Sequence, residues 1–243
     1  MNVIYEPKGR AREYSELACN LYSGCTHGCS YCYAPGCMRT TKDAWHGSSG
    51  PRADVIEKFE RDAMRLVGDP RPILFCFLTD PYQPLEAKAR LTRQALEIVL
   101  KYKLRSKILT KGFHEIITRD FDLMEKAGTE LGLTISFIDD AKRREWEPRA
   151  APIEDRIRTL REAFERGIYT WVSLEPVIDP SEALRVIAGL SGYVRFWKIG
   201  KLNHNKAVES SVDWGKFLAD AERILKDSGA SYYIKQDLES YRV

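Results

Sequence analysis

The sequence predicts an α/β fold, a parallel sheet covered by helices, and three observations carry that prediction. Short apolar runs alternate with segments of helical spacing along most of the chain. The apolar runs are continuous, as in strands buried on both faces. The length of 243 residues suits one domain with a sizeable core, and α/β barrels often have this length. An open doubly wound sheet and a closed or partial barrel both satisfy this pattern.

In chain order, strands are expected at roughly 17–22, 72–78, 106–110, 131–137, 169–174 and 194–199, with a seventh at 231–235. Two intervening segments show helical stripes: Leu91, Ala95, Leu96, Val99 and Leu100, then Ile153, Ile157, Leu160, Ala163 and Phe164. A further helix is expected near 212–227. Gly128, Gly132 and Gly167 fall near helix ends or strand starts and read as turn formers. The first βα loop lacks G-x-G-x-x-G and the chain has no G-x-x-x-x-G-K-[ST], so neither nucleotide fingerprint applies.

Composition narrows the class further. Hydrophobic content of 44% with 30% charge is ordinary for a soluble globular protein. No apolar run approaches bilayer length, and Met1 to Pro7 lacks the apolar core of a secretory signal. A cytoplasmic protein without membrane contact is the expectation. Net charge is +3, from 38 basic and 35 acidic residues, which neither demands nor excludes a nucleic-acid partner. Six cysteines in a reducing compartment read as metal binding or catalysis rather than disulfides.

Cys25, Cys29 and Cys32 stand at spacing C-x3-C-x2-C directly after the first strand. Three thiolates on one loop can each take one iron of a cubane, leaving the fourth iron open to a cofactor or substrate, whereas electron-transfer clusters use four cysteines. The competing reading is structural zinc completed by His27, Cys19 or Cys37. Such sites normally use two separated ligand pairs, and the chain offers no second pair. Cys19 reads as a small buried strand residue and Cys37 as an inert loop thiol.

Parallel α/β barrels place their sites at the C-terminal ends of the strands. Here every strand from the second to the sixth ends in polar groups: Thr79-Asp80-Pro81-Tyr82, Thr110-Lys111, Ser136 before Asp139-Asp140, Ser173-Leu174-Glu175, and Lys198 through Lys201 to Asn203. One rim shared with the cysteine loop is expected.

The cysteine spacing with Tyr31 before the third cysteine resembles the C-x3-C-x-(aromatic)-C motif of the radical S-adenosylmethionine (SAM) superfamily. The wider phrase Asn20 to Ala34 resembles the subgroup related to spore photoproduct lyase, often labelled DNA repair photolyase-like. The resemblance implies a partial (β/α)6 TIM-like barrel, deciding between the two sheet options. On that frame, 1–16 is a lead-in, about 17–200 the barrel core and 201–243 a short C-terminal helix–strand extension of a single domain. It also implies a [4Fe–4S] cluster on Cys25, Cys29 and Cys32, with SAM bound to the open iron. An external electron donor such as a flavodoxin or ferredoxin is implied, as is reductive cleavage of SAM to a hydrogen-abstracting 5′-deoxyadenosyl radical.

Residue roles follow from the same resemblance. Lys111 is expected at the SAM carboxylate with Ser136, and Thr79 and Asp80 at its amino group. Glu175 is expected at the ribose, and Tyr31 and Tyr33 around the adenine. Glu147-Pro148-Arg149, after Trp146, resembles the family's (L/W)-E-P-R-x-P run, so Glu147 is expected to meet substrate and Arg149 the cofactor. Tyr82, Lys198 and Asn203 are candidate substrate contacts. Cys76 is a candidate hydrogen donor, although its one-residue offset from the lyase cysteine would turn it toward the helices. A nucleic-acid or nucleotide-like substrate rests on the analogy and on Lys142-Arg143-Arg144, which also reads as a solvated face. The alternatives are radical modification of a peptide, protein or small metabolite, and a non-enzymatic metal-stabilised or electron-carrying module.

Overall fold

In the computed structural model, which describes residues 2–203 and 205–242, ten strands are formed among the described residues. They are β1 (Ile4–Tyr5), β2 (Leu17–Cys19), β3 (Tyr22–Ser23), β4 (Gly50–Pro51), β5 (Ile73–Phe75), β6 (Ser106–Thr110), β7 (Glu130–Thr134), β8 (Thr170–Val177), β9 (Phe196–Lys201) and β10 (Ser231–Ile234). Eight form one sheet in the order β1-β2-β5-β6-β7-β8-β9-β10, while β3 and β4 make a separate antiparallel pair. β1 runs antiparallel to β2, and every later pairing in the large sheet is parallel. Helices connect the parallel strands, as that geometry requires. The expected α/β partial barrel is the fold observed, open between β1 and β10. The C-terminal segment is more than an appendage, because β10 pairs with β9 from Ser231↔Phe196 to Ile234↔Ile199.

Strand lengths depart from the apolar runs for local reasons. The first run ends early as a strand, because Tyr22 and Ser23 turn away to pair with Pro51 and Gly50. The second stops at Phe75. There the Asn20 side-chain oxygen accepts the backbone N–H groups of Phe77, Leu78 and Thr79, at 3.0, 2.8 and 3.1 Å, and replaces the ladder. β7 ends at Thr134, three residues short of the expected 137, whereas β8 continues to Val177 through a register shift.

The pleat divides the core. Leu17, Ile73, Phe75 and Ile108 join the large cluster with the helices, while Ala18, Leu74 and Leu109 join Trp171, Tyr14, Cys76 and Phe77 in a smaller one. Helix Leu91–Lys101 buries Leu91, Ala95, Leu96 and Val99, and helix Ile153–Glu165 buries Ile153, Leu160 and Ala163. Each such leucine or valine contributes about 1.5–3 kcal/mol. Gly128 and Gly167 do follow helices at positive φ, +64° and +79°. Gly132 does not form a turn. It lies within β7, where a Cβ would come 2.1 Å from the Trp171 ring, so the missing side chain admits the indole.

The lead-in also has a structural task. After β1, residues Gly9–Glu13 form a 3-10 turn that reaches the opposite edge of the sheet. Arg10 pairs with Asp237 at 2.9 Å, Glu13 accepts from the Tyr233 hydroxyl and the Gln236 N–H at 3.2 Å each, and Lys198 donates to the Glu13 carbonyl. The chain start thereby spans from β2 to β9 and β10.

Candidate functional site

A cavity of about 410 Å³ lies over the C-terminal ends of the strands. Each parallel strand after β2 contributes to it: Cys76 and Phe77 beyond β5, Lys111 beyond β6, Thr134 from β7, Ser173 and Glu175 from β8, Lys201 to Asn203 from β9, and Lys235 beyond β10. Tyr31 and Tyr33 enter from the cysteine loop; Lys8, Arg10, Ala11 and Tyr14 enter from the lead-in.

The cysteine loop is tied down at several points. Asn20 holds the end of β5 and donates to the Tyr5 hydroxyl at 2.9 Å. Cys25 donates its N–H to the Trp45 carbonyl at 3.2 Å, and its own carbonyl meets His46 Nδ1 at 2.8 Å. Cys25 and Cys29 are buried and Cys32 is half-buried. Burial pushes the Cys25 and Cys29 thiols up to about 12 and raises Cys32 as well. Such thiols are protonated in the metal-free chain, and binding a metal would displace their protons. Among the described residues, no group of three or more His, Cys, Asp or Glu side chains converges on one ion.

The Glu147-Pro148-Arg149 segment braces this loop. Ser30 donates its N–H to the Trp146 carbonyl at 2.8 Å, and Arg149 N–H donates to the His27 carbonyl at 3.1 Å. The Arg149 guanidinium donates to the His46 carbonyl at 3.0 Å and lies against Gly28 (φ +70°), where a Cβ would come 2.8 Å from Nη2. Arg149 is therefore occupied in bracing the cysteine loop and does not line the cavity. Glu147 is likewise enclosed: it accepts from the Tyr31 hydroxyl and pairs with Arg156 at 2.6 Å, both side chains fully buried. Burial opposes its charge, but Arg156 and Lys111 hold its carboxyl below the ordinary value. It does not line the cavity.

Asp80 also serves the fold. Its oxygens accept from the Thr110 hydroxyl at 2.6 Å, the Tyr82 N–H at 2.8 Å and the Lys111 N–H at 2.7 Å, and face His27 Nε2 at 3.2 Å. Burial would raise its pKa, but the facing His27 ring and the Thr110 and Lys111 donors bring it down to about 2. Thr79 is buried on Asn20, and Tyr82, fully buried, donates to Asp120 at 3.0 Å. None of the three lines the cavity. Ser136 is also absent from the lining; it is fully buried, with its hydroxyl lacking a partner among the described residues. Lys198 is also absent from the lining; its ammonium holds the Glu13 carbonyl and sits 4.5 Å from the Tyr14 ring centre.

The structure brings the remaining candidates together. Lys111 projects over the Tyr31 ring, 5.6 Å from its centre. Tyr33 is exposed and donates to the Phe77 carbonyl at 3.2 Å. Cys76 faces the cavity rather than the helices, packed with Tyr14 and Phe77. Glu175 accepts from Lys235 at 2.7 Å and from the Tyr14 hydroxyl, which also meets Ser173 Oγ at 2.7 Å. Asn203 lines the cavity and donates to Asp237. The basic trio is no free patch: Lys142 pairs with Asp179, Arg143 is buried against Asp140, and Arg144 pairs with Asp140.

Sequence reasoning placed Lys201 on the rim without a role and missed Lys8, Arg10, Tyr14, Thr134 and Lys235. Thr134 and Lys235 stand at strand ends, where the rim rule could have found them; the lead-in residues carry no comparable signal.

The model of the radical SAM superfamily matches residues 19–185. An uncharacterised protein of Methanocaldococcus jannaschii is 29% identical over 188 residues, covering 76% of this chain and 69% of its own length. A second, from Acidianus two-tailed virus, is 22% identical over 191 residues, and the chain spans only 61% of it. Among solved structures, a spore photoproduct lyase mutant with a dinucleoside spore photoproduct superposes with TM-score 0.72 at 12% identity, over 94% of this chain and 78% of the other. SuiB of Streptococcus suis bound to S-adenosylmethionine superposes with TM-score 0.65 at 11% identity, over 89% of this chain and 49% of the other. A match across more than half the chain, carried by a partial barrel with three cysteines at its rim, establishes that this protein belongs to the radical SAM superfamily.

Proposed function

We propose that Cys25, Cys29 and Cys32 hold the [4Fe–4S] cluster used by radical SAM proteins, and that the 410 Å³ cavity receives SAM and substrate side by side. The observation that carries this reading is that Lys111 and, from the cysteine loop, Tyr31 and Tyr33 line the same cavity as Glu175. The cluster with SAM supplies one-electron cleavage to methionine and a 5′-deoxyadenosyl radical, the electron coming from an external donor such as a flavodoxin or ferredoxin. Lys111, free of any side-chain hydrogen bond to the described residues, is positioned to pair with the SAM carboxylate. The partnerless Ser136 hydroxyl is suited to the same moiety. Tyr31 and Tyr33 provide aromatic faces for the adenine, and Glu175 provides acceptors for ribose hydroxyls. Cys76, an uncharged thiol on the cavity wall, is placed to return a hydrogen atom to a substrate radical. Asn203 is retained as a substrate contact. The thiol chemistry requires a reducing environment, and we place the protein in the cytoplasm.

The substrate we favour is nucleotide-like, by analogy with the lyase whose structure holds a dinucleoside. A peptide substrate is the second reading, favoured by the likeness to SuiB bound to its precursor peptide, TM-score 0.56 at 11% identity over 76% of this chain and 42% of the other. Anaerobic reconstitution with iron and sulfide, followed by dithionite and SAM, is expected to yield 5′-deoxyadenosine. An intact cluster whose EPR spectrum ignores SAM, with no deoxyadenosine formed, overturns the assignment. A deoxyadenosine yield that rises with oligonucleotides supports the first substrate; one that rises only with peptides supports the second.

A further inference from the structure

The carboxylate of Glu175 does not stand alone on the cavity wall. One oxygen accepts from Lys235 Nζ at 2.7 Å and the other from the Tyr14 hydroxyl, so the group is clamped from both ends of the chain. Tyr14 arrives from the lead-in and Lys235 from the end of β10, whose N–H donates to the Ile199 carbonyl at 2.9 Å. Both clamping residues line the cavity with Glu175. The clamp is itself supported. Ser173 Oγ meets the Tyr14 hydroxyl at 2.7 Å, and the Lys235 ammonium lies 5.1 Å from the Tyr14 ring centre. Gly200 completes the fit from β9, because a Cβ there would come 2.9 Å from both the Glu175 carboxyl carbon and Lys235 Cδ.

A carboxylate has about four acceptor sites, and the clamp uses two. The remaining lone pairs are held in a fixed plane, which matches the paired vicinal hydroxyls of a ribose. We propose that Tyr14 and Lys235 are positioning residues that set the orientation of Glu175 and so give the site its selectivity for a ribonucleoside over a deoxyribonucleoside. This rests on the SAM-binding reading above. It predicts that Tyr14 and Lys235 determine how the nucleoside half of the cofactor is recognised.

The test is equilibrium binding to the cluster-loaded protein of S-adenosylhomocysteine and of its 2′-deoxyribose analogue. Wild-type protein is expected to prefer the ribonucleoside by about tenfold, the scale of one hydrogen bond to a charged acceptor. Tyr14→Phe, which keeps the ring, and Lys235→Met should each weaken binding of the ribonucleoside and reduce the preference toward unity. Lys235→Arg should restore part of it. Iron content and thermal midpoint, measured on the same samples, separate this from a loss of folding. A preference that survives in both variants, or a fall in affinity equal for the two nucleosides, overturns the proposal. Wild-type protein that binds neither nucleoside instead overturns the underlying SAM-site reading.

Discussion

The two walls of the cavity are built differently. On the cysteine side, the loop from Asn20 to Pro35 is one contiguous stretch, held by Asn20, His46 and the Trp146–Arg149 brace. On the opposite side, Tyr14, Glu175, Lys201 and Lys235 come from the lead-in, β8, β9 and the end of β10. The first wall is a local motif with support around it; the second is made only by folding. A contiguous motif presents its ligands in a fixed order, whereas a wall assembled from four segments exists only when the sheet has closed around the lead-in.

The largest effect that tests this contrast is on the cysteine wall. Alanine at Cys25, Cys29 and Cys32 together should abolish iron binding and deoxyadenosine formation, read by metal analysis and product chromatography, with the secondary structure kept. Retention of a full complement of iron contradicts the ligand assignment. Next comes the brace. Glu147→Gln leaves Arg156 as a buried uncompensated charge, so the apoprotein should lose about 3–5 kcal/mol in urea unfolding. The Glu147→Gln, Arg156→Met double variant should be less destabilised than the sum of the single ones. Additive losses contradict the coupling.

Two pH effects of opposite sign test the buried groups behind the cavity, Lys198 and Asp80. Burial, with the charges of Lys107 and Lys235, lowers the Lys198 ammonium to about 8. The unfolded chain then holds that proton more tightly than the folded one, so the penalty is complete below pH 8 and disappears as pH rises toward the ordinary value of 10.5. Relative to Lys198→Met, the protein should gain about 3 kcal/mol of stability across that interval. Asp80 has the opposite dependence. Its carboxyl titrates at about 2 in the folded chain against an ordinary 3.8, so its contribution is present above that value and lost on acidification. Compared with Asp80→Asn, apoprotein stability should fall by about 2 kcal/mol from pH 4 to pH 2. Parallel pH profiles for wild type and variant at either position contradict the buried geometry described.

Much of the α/β arrangement was legible in the sequence, because buried parallel strands must be apolar throughout and their connecting helices must carry stripes. The strand ends were less legible. Nothing in the second apolar run announces that Asn20, more than fifty residues earlier, captures its last N–H groups. The rim was legible as a place but not residue by residue. Asp80 and Lys111 are both polar groups at strand ends, yet one is consumed by Thr110 and backbone donors while the other projects over Tyr31. Tyr82 and Glu147 read as surface chemistry and proved to be enclosed, since partners for buried polar groups are supplied by distant segments.

The sequence by itself determined the three thiols, the superfamily motif around them and the sheet that carries their loop. Each of these depends on neighbours in the chain or on periodicity, and such information is local. Tertiary structure alone decided that Cys76 faces inward, that Glu147 and Arg149 brace the cysteine loop, and that the chain's two ends meet across Glu175. The reason is physical: side-chain direction and polar pairing depend on which segments the curved sheet brings within hydrogen-bond reach, and no spacing along the chain encodes that distance.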